Sequence, residues 1–202
     1  MLSKILNSDQ FTLFLLILIF IFIFYYFYRT SDYFNLKCIV STVDGNKYCV
    51  RDRKKIKEAV DILAKTMNEC EKLINHLDKK YPKNKDVQRL QSKFDKSRVV
   101  ETLPNSELKA YSENKGEKLA FCLNKNEIGT ELIDENTLMF VALHELSHLM
   151  TVTIGHDETF WKNFKFLIEH AENIGIYKPI DYKNKNENYC GLEITDNPYY
   201  DL

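Results

Sequence analysis

Residues 135–150, ENTLMFVALHELSHLM, decide the fold, because they predict a helix that carries a metal-binding pattern. The segment contains no Gly or Pro, and Asp134 stands where a carboxylate can cap the first helical turn. His144 and His148 are four residues apart, so their imidazoles emerge from one face and can bind one zinc ion at about 2.0 to 2.1 Å. Glu145 emerges beside them and suits a general base that activates a zinc-bound water.

A zinc site that keeps a place for water needs a third protein ligand. His156 lies eight residues after His148 and directly after Gly155, whose backbone freedom lets the chain turn back towards the helix. Glu169 and Glu172 are alternative third ligands, because they lie in the range that glutamate-ligated zinc peptidases use. We favour His156. The two remaining histidines are expected to be solvated or packed: His76 and His170.

The motif HELSH, followed by GH-x-x-x-FW at 155–161, resembles the WLM and SprT-like zinc metallopeptidases, which are zincins. The resemblance implies an α+β, zincin-like fold in which a small mixed sheet packs on the HExxH helix. It implies that zinc is bound by His144, His148 and His156, with Glu145 as the base. Phe160 and Trp161 would then be core residues that dock the turn of the third ligand.

A second resemblance covers most of the chain. Residues 36–202, including NKGEKLAFCL at 114–123 and YCGLEITDNP at 189–198, resemble small proteins of large DNA viruses. Those proteins combine one N-terminal membrane segment with a zincin-like domain.

The region before the motif alternates between strand and helix patterns. Residues 36–50 predict a hairpin around Asp44-Gly45-Asn46, and residues 108–123 predict another, whose second arm (118–123) should lie in the core sheet. Residues 51–81 predict one long helix with a single apolar stripe, formed by Ile56, Val60, Leu63, Met67, Cys70, Ile74 and Leu77. A shorter helix is expected from Val87, Leu90 and Phe94.

The stretch from Phe11 to Tyr28, FTLFLLILIFIFIFYYFY, contains no charged residue. As a helix it would be about 27 Å long, which matches the hydrocarbon core of a bilayer. A cleaved signal peptide is the alternative, but the small-residue cleavage site is missing. More Lys and Arg follow the segment than precede it, which favours a single-pass protein with a cytoplasmic C-terminal domain.

The net charge of −1 for 202 residues conceals an uneven distribution. We divide the chain into a tail (1–10), a transmembrane helix (11–28), a basic region with net charge +8 (29–98) and a metallopeptidase core with net charge −9 (99–202), the last two forming one folded unit. This balance argues against an all-over basic nucleic-acid binder. The basic faces within 51–98 predict solvated surface, contact with anionic lipid or contact with nucleic acid.

The five cysteines are spread out and form no CxxC pair, so most are expected to be reduced and buried. Two bridges remain as alternatives, Cys38–Cys49 and Cys122–Cys190. Seventeen Asn without an N-glycosylation acceptor agree with a domain outside a glycosylating lumen.

These patterns predict a membrane-anchored zinc peptidase that hydrolyses peptide bonds of protein substrates. The substrate would pair with an exposed edge of the 108–123 hairpin. Tyr182 and Tyr189 follow the motif, where a second oxyanion donor often occurs, although core or surface positions fit them better. The alternative is a membrane-tethered binding or assembly protein with a structural or silent zinc site, for which Cys190 is the candidate fourth ligand. The sequence does not determine the oligomeric state.

Overall fold

The computed structural model describes residues 8–31, 35–126, 129 and 131–201 of the chain. Its fold is mixed α+β. The helices are α1 (Ser8–Thr30), α2 (Ile56–Lys80), α3 (Lys85–Lys93), α4 (Glu135–Met150) and α5 (Glu158–Asn173). The strands are β1 (Leu36–Val40), β2 (Lys47–Arg51), β3 (Val99–Glu101), β4 (Ala110–Glu113), β5 (Lys118–Phe121), β6 (Glu187–Tyr189) and β7 (Leu192–Ile194).

Five strands form one mixed sheet in the order β1-β2-β3-β5-β4. The β1–β2 and β4–β5 pairs are antiparallel hairpins, as the sequence predicts, whereas β3 pairs in parallel with β2 and with β5. β4 is the outermost strand at one end of the sheet and lies against α4. Strands β6 and β7 form a separate two-stranded hairpin near the C-terminus.

The long helix α2 buries the stripe that the sequence predicts, from Val60 to Leu77. It begins at Ile56 rather than at 51, because Arg51 is still paired in strand β2. Helix α3 is capped by Asn84, whose side chain accepts hydrogen bonds from the second and third amides that follow it, and it ends before Phe94. The buried faces of α2, α4 and α5 belong to one hydrophobic core that also takes side chains from β2, β3 and β5.

Helix α1 includes the predicted segment 11–28 and begins three residues earlier, at Ser8. Every side chain from Asp9 to Thr30 is exposed, and the helix is long and apolar enough to cross a membrane. Of the predicted tail (1–10), residues 1–7 lie outside the described residues.

The prediction that most cysteines are reduced is wrong, since the structure contains both alternative disulfides. Cys38 and Cys49 lie directly opposite each other in the β1–β2 hairpin and are bonded. Cys122, just after β5, is bonded to Cys190, just after β6. Cys70 alone is free, and it is buried within α2. The sequence could not decide the longer bridge, because residues 68 positions apart become neighbours only when the chain folds.

The basic faces predicted within 51–98 include the segment 51–57, RDRKKIK, and the prediction is wrong for the two arginines of this segment. The side chains of Arg51 and Arg53 are largely buried, and both form ion pairs with Glu101, which is fully buried at the end of β3. The amide of Arg51 also donates to the Glu101 carboxylate at 2.7 Å. A buried carboxylate needs such partners, because an unpaired charge in the interior is costly. The lysines at 54, 55 and 57 are exposed, as predicted.

Candidate metal centre

The first part of the site is the predicted pair on helix α4. The side chain of Asp134 accepts a hydrogen bond from the amide of Thr137 and fixes the start of the helix. Ten and fourteen residues later, His144 and His148 stand one turn apart on the same face, with ring centroids 5.0 Å apart. The helix therefore presents two imidazoles in the arrangement that one metal ion requires.

The third imidazole is brought in by the loop that follows α4. Gly155 has a φ of +89°, which favours glycine, and the turn there returns the chain towards the helix. The Nε2 atoms of His156 and His144 lie 3.1 Å apart. Potential ligand atoms of His144, His148 and His156 all lie within 4.8 Å of one another. The chain thus brings together three potential ligands, although the second and the third are eight positions apart in the sequence.

The glutamates considered as alternative ligands lie elsewhere. Glu169 and Glu172 are on the exposed side of α5, and the Glu172 carboxylate accepts a hydrogen bond from the Tyr199 hydroxyl at 2.7 Å. Within the residues that the structure describes, the group of three histidines includes neither of them.

One aromatic ring contacts the imidazoles of all three histidines. Phe160, which is fully buried at the start of α5, has its ring centroid 4.9 Å from that of His144, 4.4 Å from that of His148 and 4.5 Å from that of His156. Its predicted core role is confirmed. Trp161 is not a core residue, since it is 45% exposed beside the His156 ring. Consecutive helix positions point about 100° apart, so only one residue of the pair can face the core.

Burial and the neighbouring imidazoles keep His144 and His148 neutral. Burial, together with the neighbouring His148 and His156, lowers the pKa of His144 to about 3. Burial, followed by His156 and Lys115, lowers the pKa of His148 to about 4. Neutral imidazoles offer the nitrogen lone pair that a metal binds. The donor set therefore fits zinc, with three histidine nitrogens and no carboxylate in the group.

Glu145 lies beside the histidines and is only 4% exposed. Burial raises the pKa of its carboxyl to about 8. It lines the same cleft of about 450 Å³ as the three histidines, together with Ala110, Tyr111 and Ser112 of β4. The arrangement provides a group that can accept and return a proton at the histidine cluster.

The cysteine considered as a fourth ligand is not available. Cys190 is bonded to Cys122, so it cannot supply a thiolate. Among the described residues, the cluster contains no His, Cys, Asp or Glu beyond the three histidines. A structural zinc site is usually closed by four protein ligands, whereas a catalytic one has three. The described residues offer three potential ligands at this cluster.

Both tyrosines considered as oxyanion donors are buried structural residues. Tyr182 packs against Phe140, with ring centroids 4.9 Å apart. The Tyr189 hydroxyl accepts a hydrogen bond from the Cys122 amide at 2.9 Å and donates one to the Lys109 carbonyl at 3.1 Å. His170 is also buried, next to Tyr81 and Phe166, while His76 is partly exposed.

Sequence reasoning did not single out several residues that line the cleft, among them Lys115 and Ser112. Lys115, in the turn between β4 and β5, donates hydrogen bonds to carbonyl groups at the end of α4. Ser112 has a buried hydroxyl with no hydrogen-bond partner among the described residues. The sequence signal at both positions was only that of a hairpin, because contacts across the cleft depend on how the hairpin meets α4.

No protein-family model matches the chain. The chain is 29% identical over 162 residues to the uncharacterized protein R325 of Acanthamoeba polyphaga mimivirus, covering 78% of this chain and 82% of that protein. It is 34% identical over 83 residues to the uncharacterized protein 136R of Invertebrate iridescent virus 6, covering 41% and 45%. A shorter match, 44% over 59 residues, covers 29% of this chain and 36% of the uncharacterized protein 042R of Invertebrate iridescent virus 3. The expected similarity to viral proteins is confirmed.

Two solved structures are similar to this chain. The crystal structure of Wss1 from Saccharomyces cerevisiae has a TM-score of 0.45 and 20% identity, covering 62% of this chain and 89% of that one. A Wss1 mutant from the same organism has a TM-score of 0.47 and 19% identity, covering 63% and 92%.

Proposed function

We propose that this chain is a membrane-anchored zinc peptidase that hydrolyses peptide bonds in protein substrates. The observation that carries the proposal is the convergence of His144, His148 and His156 within 4.8 Å, with the buried carboxyl of Glu145 in the same cleft. A structural metal site has no use for a carboxylate beside the ligands, whereas hydrolysis needs a base there. This combination favours an enzyme over a binding or assembly protein.

The three histidines would hold zinc. When bound, zinc polarises water and the substrate carbonyl and stabilises negative charge on the carbonyl oxygen. Glu145 accepts the proton of the attacking water and later returns it to the leaving amine. Burial raises the pKa of the Glu145 carboxyl, which makes its carboxylate a stronger proton acceptor.

The substrate would lie along strand β4. This strand ends the sheet, and among the described strands it pairs only with β5. An extended peptide can add to such an edge by main-chain hydrogen bonds. The residues Ala110 to Ser112 line the cleft, so a peptide paired there would pass the histidine cluster.

We further propose that α1 anchors the enzyme in a bilayer and that residues 29–98 and 99–202 fold together. The length of α1 and its exposed apolar side chains support the anchor. The Lys and Arg that follow α1 favour a cytoplasmic C-terminal domain.

The two disulfides then require an oxidant on that side of the membrane, because cytosolic thiols are normally kept reduced. Protease digestion of sealed vesicles tests the orientation.

The test of the function uses the full chain, solubilised in detergent and supplied with zinc. Glu145→Gln keeps the size of the side chain and the three histidines, so we expect it to bind about one zinc per chain and to lose nearly all proteolysis of casein. His148→Ala should lose both zinc and activity. Cleavage of casein by the Glu145→Gln variant at the rate of the unmodified chain would overturn the proposal.

A further inference from the structure

Two aliphatic side chains stand exposed at the rim of the cleft. Ile154 is 94% exposed and Leu108 is 61% exposed, and both line the cleft that contains Glu145 and His156. Single exposed aliphatic residues are common on protein surfaces. Exposed apolar groups that border a cleft with a polar centre are more informative, because ligand sites are built in this way.

The loop that carries Ile154 is hydrogen-bonded to its neighbours at Thr151 and Thr153. The side chain of Asn163 donates a hydrogen bond to the Thr151 hydroxyl at 2.9 Å at the start of this loop. The ammonium group of Lys115 donates to the carbonyl oxygens of Thr151 and Thr153. The backbone on the N-terminal side of Ile154 is therefore tied to two other elements.

Leu108 is held in the same way on the other side of the cleft. Its carbonyl oxygen accepts a hydrogen bond from the Ser106 hydroxyl at 2.7 Å. The carbonyl of the next residue, Lys109, accepts hydrogen bonds from the Cys122 amide at 2.8 Å and the Tyr189 hydroxyl at 3.1 Å. Hydrogen bonds thus restrain the backbone beside both aliphatic residues, which reduces the conformational entropy lost when a ligand covers their side chains.

Besides Glu145 and the histidines, the charged residue among those that line the cleft is Lys115, and its ammonium group is already bonded to backbone carbonyl oxygens. The loop Thr151–His156 reads TVTIGH and contains no acidic or basic side chain besides its last histidine. A charged substrate side chain packed against this loop would lose water without gaining an ionic partner from the loop. An aliphatic or aromatic one would bury apolar surface.

We propose that this cleft selects peptides with a large apolar side chain next to the scissile bond, and that Leu108 and Ile154 are the residues that determine this specificity. The inference rests on the proposed peptidase function. A peptide in extended conformation along β4 projects alternate side chains to the same side. One of them can reach the aliphatic rim while the neighbouring peptide bond lies at the histidines.

The first measurement compares fluorogenic peptides that differ only at one position next to the bond cleaved in casein. We expect kcat/KM for Leu at this position to exceed that for Ala by roughly 10- to 200-fold and to exceed that for Lys by more. Ile154→Lys should lower kcat/KM for the Leu peptide at least about tenfold, while Ile154→Val should stay close to the unmodified chain. Leu192→Lys changes an exposed Leu outside the cleft and should have no effect.

A binding measurement separates this inference from the peptidase function. The chain has a single Trp, Trp161, whose ring lies 5.8 Å from that of His156, so its fluorescence should report on occupancy of the cleft. In the Glu145→Gln variant, the Leu peptide should bind at least about tenfold more tightly than the Lys peptide, and Ile154→Lys should remove the difference. Such a preference without any proteolysis by the unmodified chain would refute the peptidase and retain the apolar recognition.

Two results would overturn the inference. One is cleavage by the unmodified chain with equal kcat/KM for the Leu, Ala and Lys peptides. The other is an effect of Ile154→Lys that is the same for all peptides and appears only when the chain is embedded in a bilayer. The second result would assign Ile154 to contact with lipid instead of substrate.

Discussion

The ammonium group of Lys115 donates a hydrogen bond of 2.7 Å to the carbonyl oxygen of Thr151, the C-cap residue of helix α4. It also donates to the carbonyls of His148 and Thr153. One side chain from the β4–β5 turn therefore joins the edge strand to the histidine helix and to the loop of the third histidine. A cation at a helix C-terminus is also favoured by the partial negative charge there.

We expect Lys115→Met to lower the free energy of unfolding by about 1 to 3 kcal/mol, because it leaves partly buried carbonyl groups without their charged donor. It should also raise KM more than it lowers kcat, since the edge strand loses its fixed position relative to the histidines. Denaturant unfolding and steady-state kinetics measure the two effects.

The matched control for this variant is Lys162→Met. Lys162 forms an exposed ion pair with Glu158 on α5, so its loss should cost at most about 1 kcal/mol. Equal effects of the two substitutions would contradict the role given to Lys115.

The contact of Phe160 with all three imidazoles predicts an effect on metal affinity without loss of a ligand. Phe160→Leu leaves a cavity beneath the rings, which should cost about 1 to 2 kcal/mol of stability. We expect the affinity for zinc to fall roughly tenfold, because the ligands are less firmly oriented. Competition with a zinc chelator measures this change.

Phe166→Leu is the comparison, since Phe166 also lies on α5 but packs against Tyr81 and His170, away from the cluster. It should affect stability and leave the affinity for zinc unchanged. If both variants lowered zinc affinity equally, the effect would reflect general loosening of the fold.

The link between the first hairpin and α2 predicts a dependence of stability on pH. The carboxylate of Asp61 accepts hydrogen bonds from the Ser41 hydroxyl, the Thr42 amide and the Thr42 hydroxyl, at 2.8, 2.9 and 2.7 Å. These bonds lower the pKa of the Asp61 carboxyl, and the bond from the Thr42 hydroxyl has the largest effect. The folded chain therefore releases this proton more readily than the unfolded chain, whose Asp has a pKa of about 3.9.

The stabilisation that these hydrogen bonds to Asp61 provide is fully present above about pH 4. It is lost as the pH falls through the lower pKa that Asp61 has in the folded state. Asp61→Asn should lower the free energy of unfolding by about 1 kcal/mol at pH 7, and the difference from the unmodified chain should shrink in acid. Urea unfolding at several pH values tests this. Thr42→Val should cost less in the Asp61→Asn background than in the unmodified chain, and full additivity would contradict the link.

The disulfides predict the behaviour of the five cysteines. Peptide mapping without reduction should recover the pairs Cys38–Cys49 and Cys122–Cys190. Cys70 is buried and its pKa is raised to about 12, so it should resist alkylation until the chain unfolds. Two reactive thiols in the native chain would contradict this assignment.

The two bridges should differ in their contribution to stability. The Cys122–Cys190 bridge closes a long loop of sequence separation 68, and replacing both residues by Ser should cost about 4 kcal/mol. The Cys38–Cys49 bridge closes a loop of separation 11, so its removal should cost about 3 kcal/mol. Denaturant unfolding of the two double variants provides the comparison.

The predictions that the structure confirms depend on local sequence patterns. The spacing of His144 and His148, the cap at Asp134 and the stripe on α2 each depend on residues within a few turns of one helix. The hairpins were predictable for the same reason, because a turn such as Asp44-Gly45-Asn46 fixes the pairing of the segments beside it. The burial of Arg51 and Arg53 was not predictable, since their partner Glu101 lies about 50 residues away along the chain.

The sequence by itself determined the two imidazoles of α4, the neighbouring carboxyl and the apolar segment of α1, because helical periodicity fixes which side chains share a face. Only the tertiary structure decided that His156 joins the pair, that Glu169 and Glu172 lie outside it, and that Cys190 is held by Cys122 rather than by a metal. The tertiary structure also decided that Lys115 and Ile154 line the cleft. These contacts depend on how the sheet and its loops pack around α4, and the distance between two residues along the chain carries little information about that.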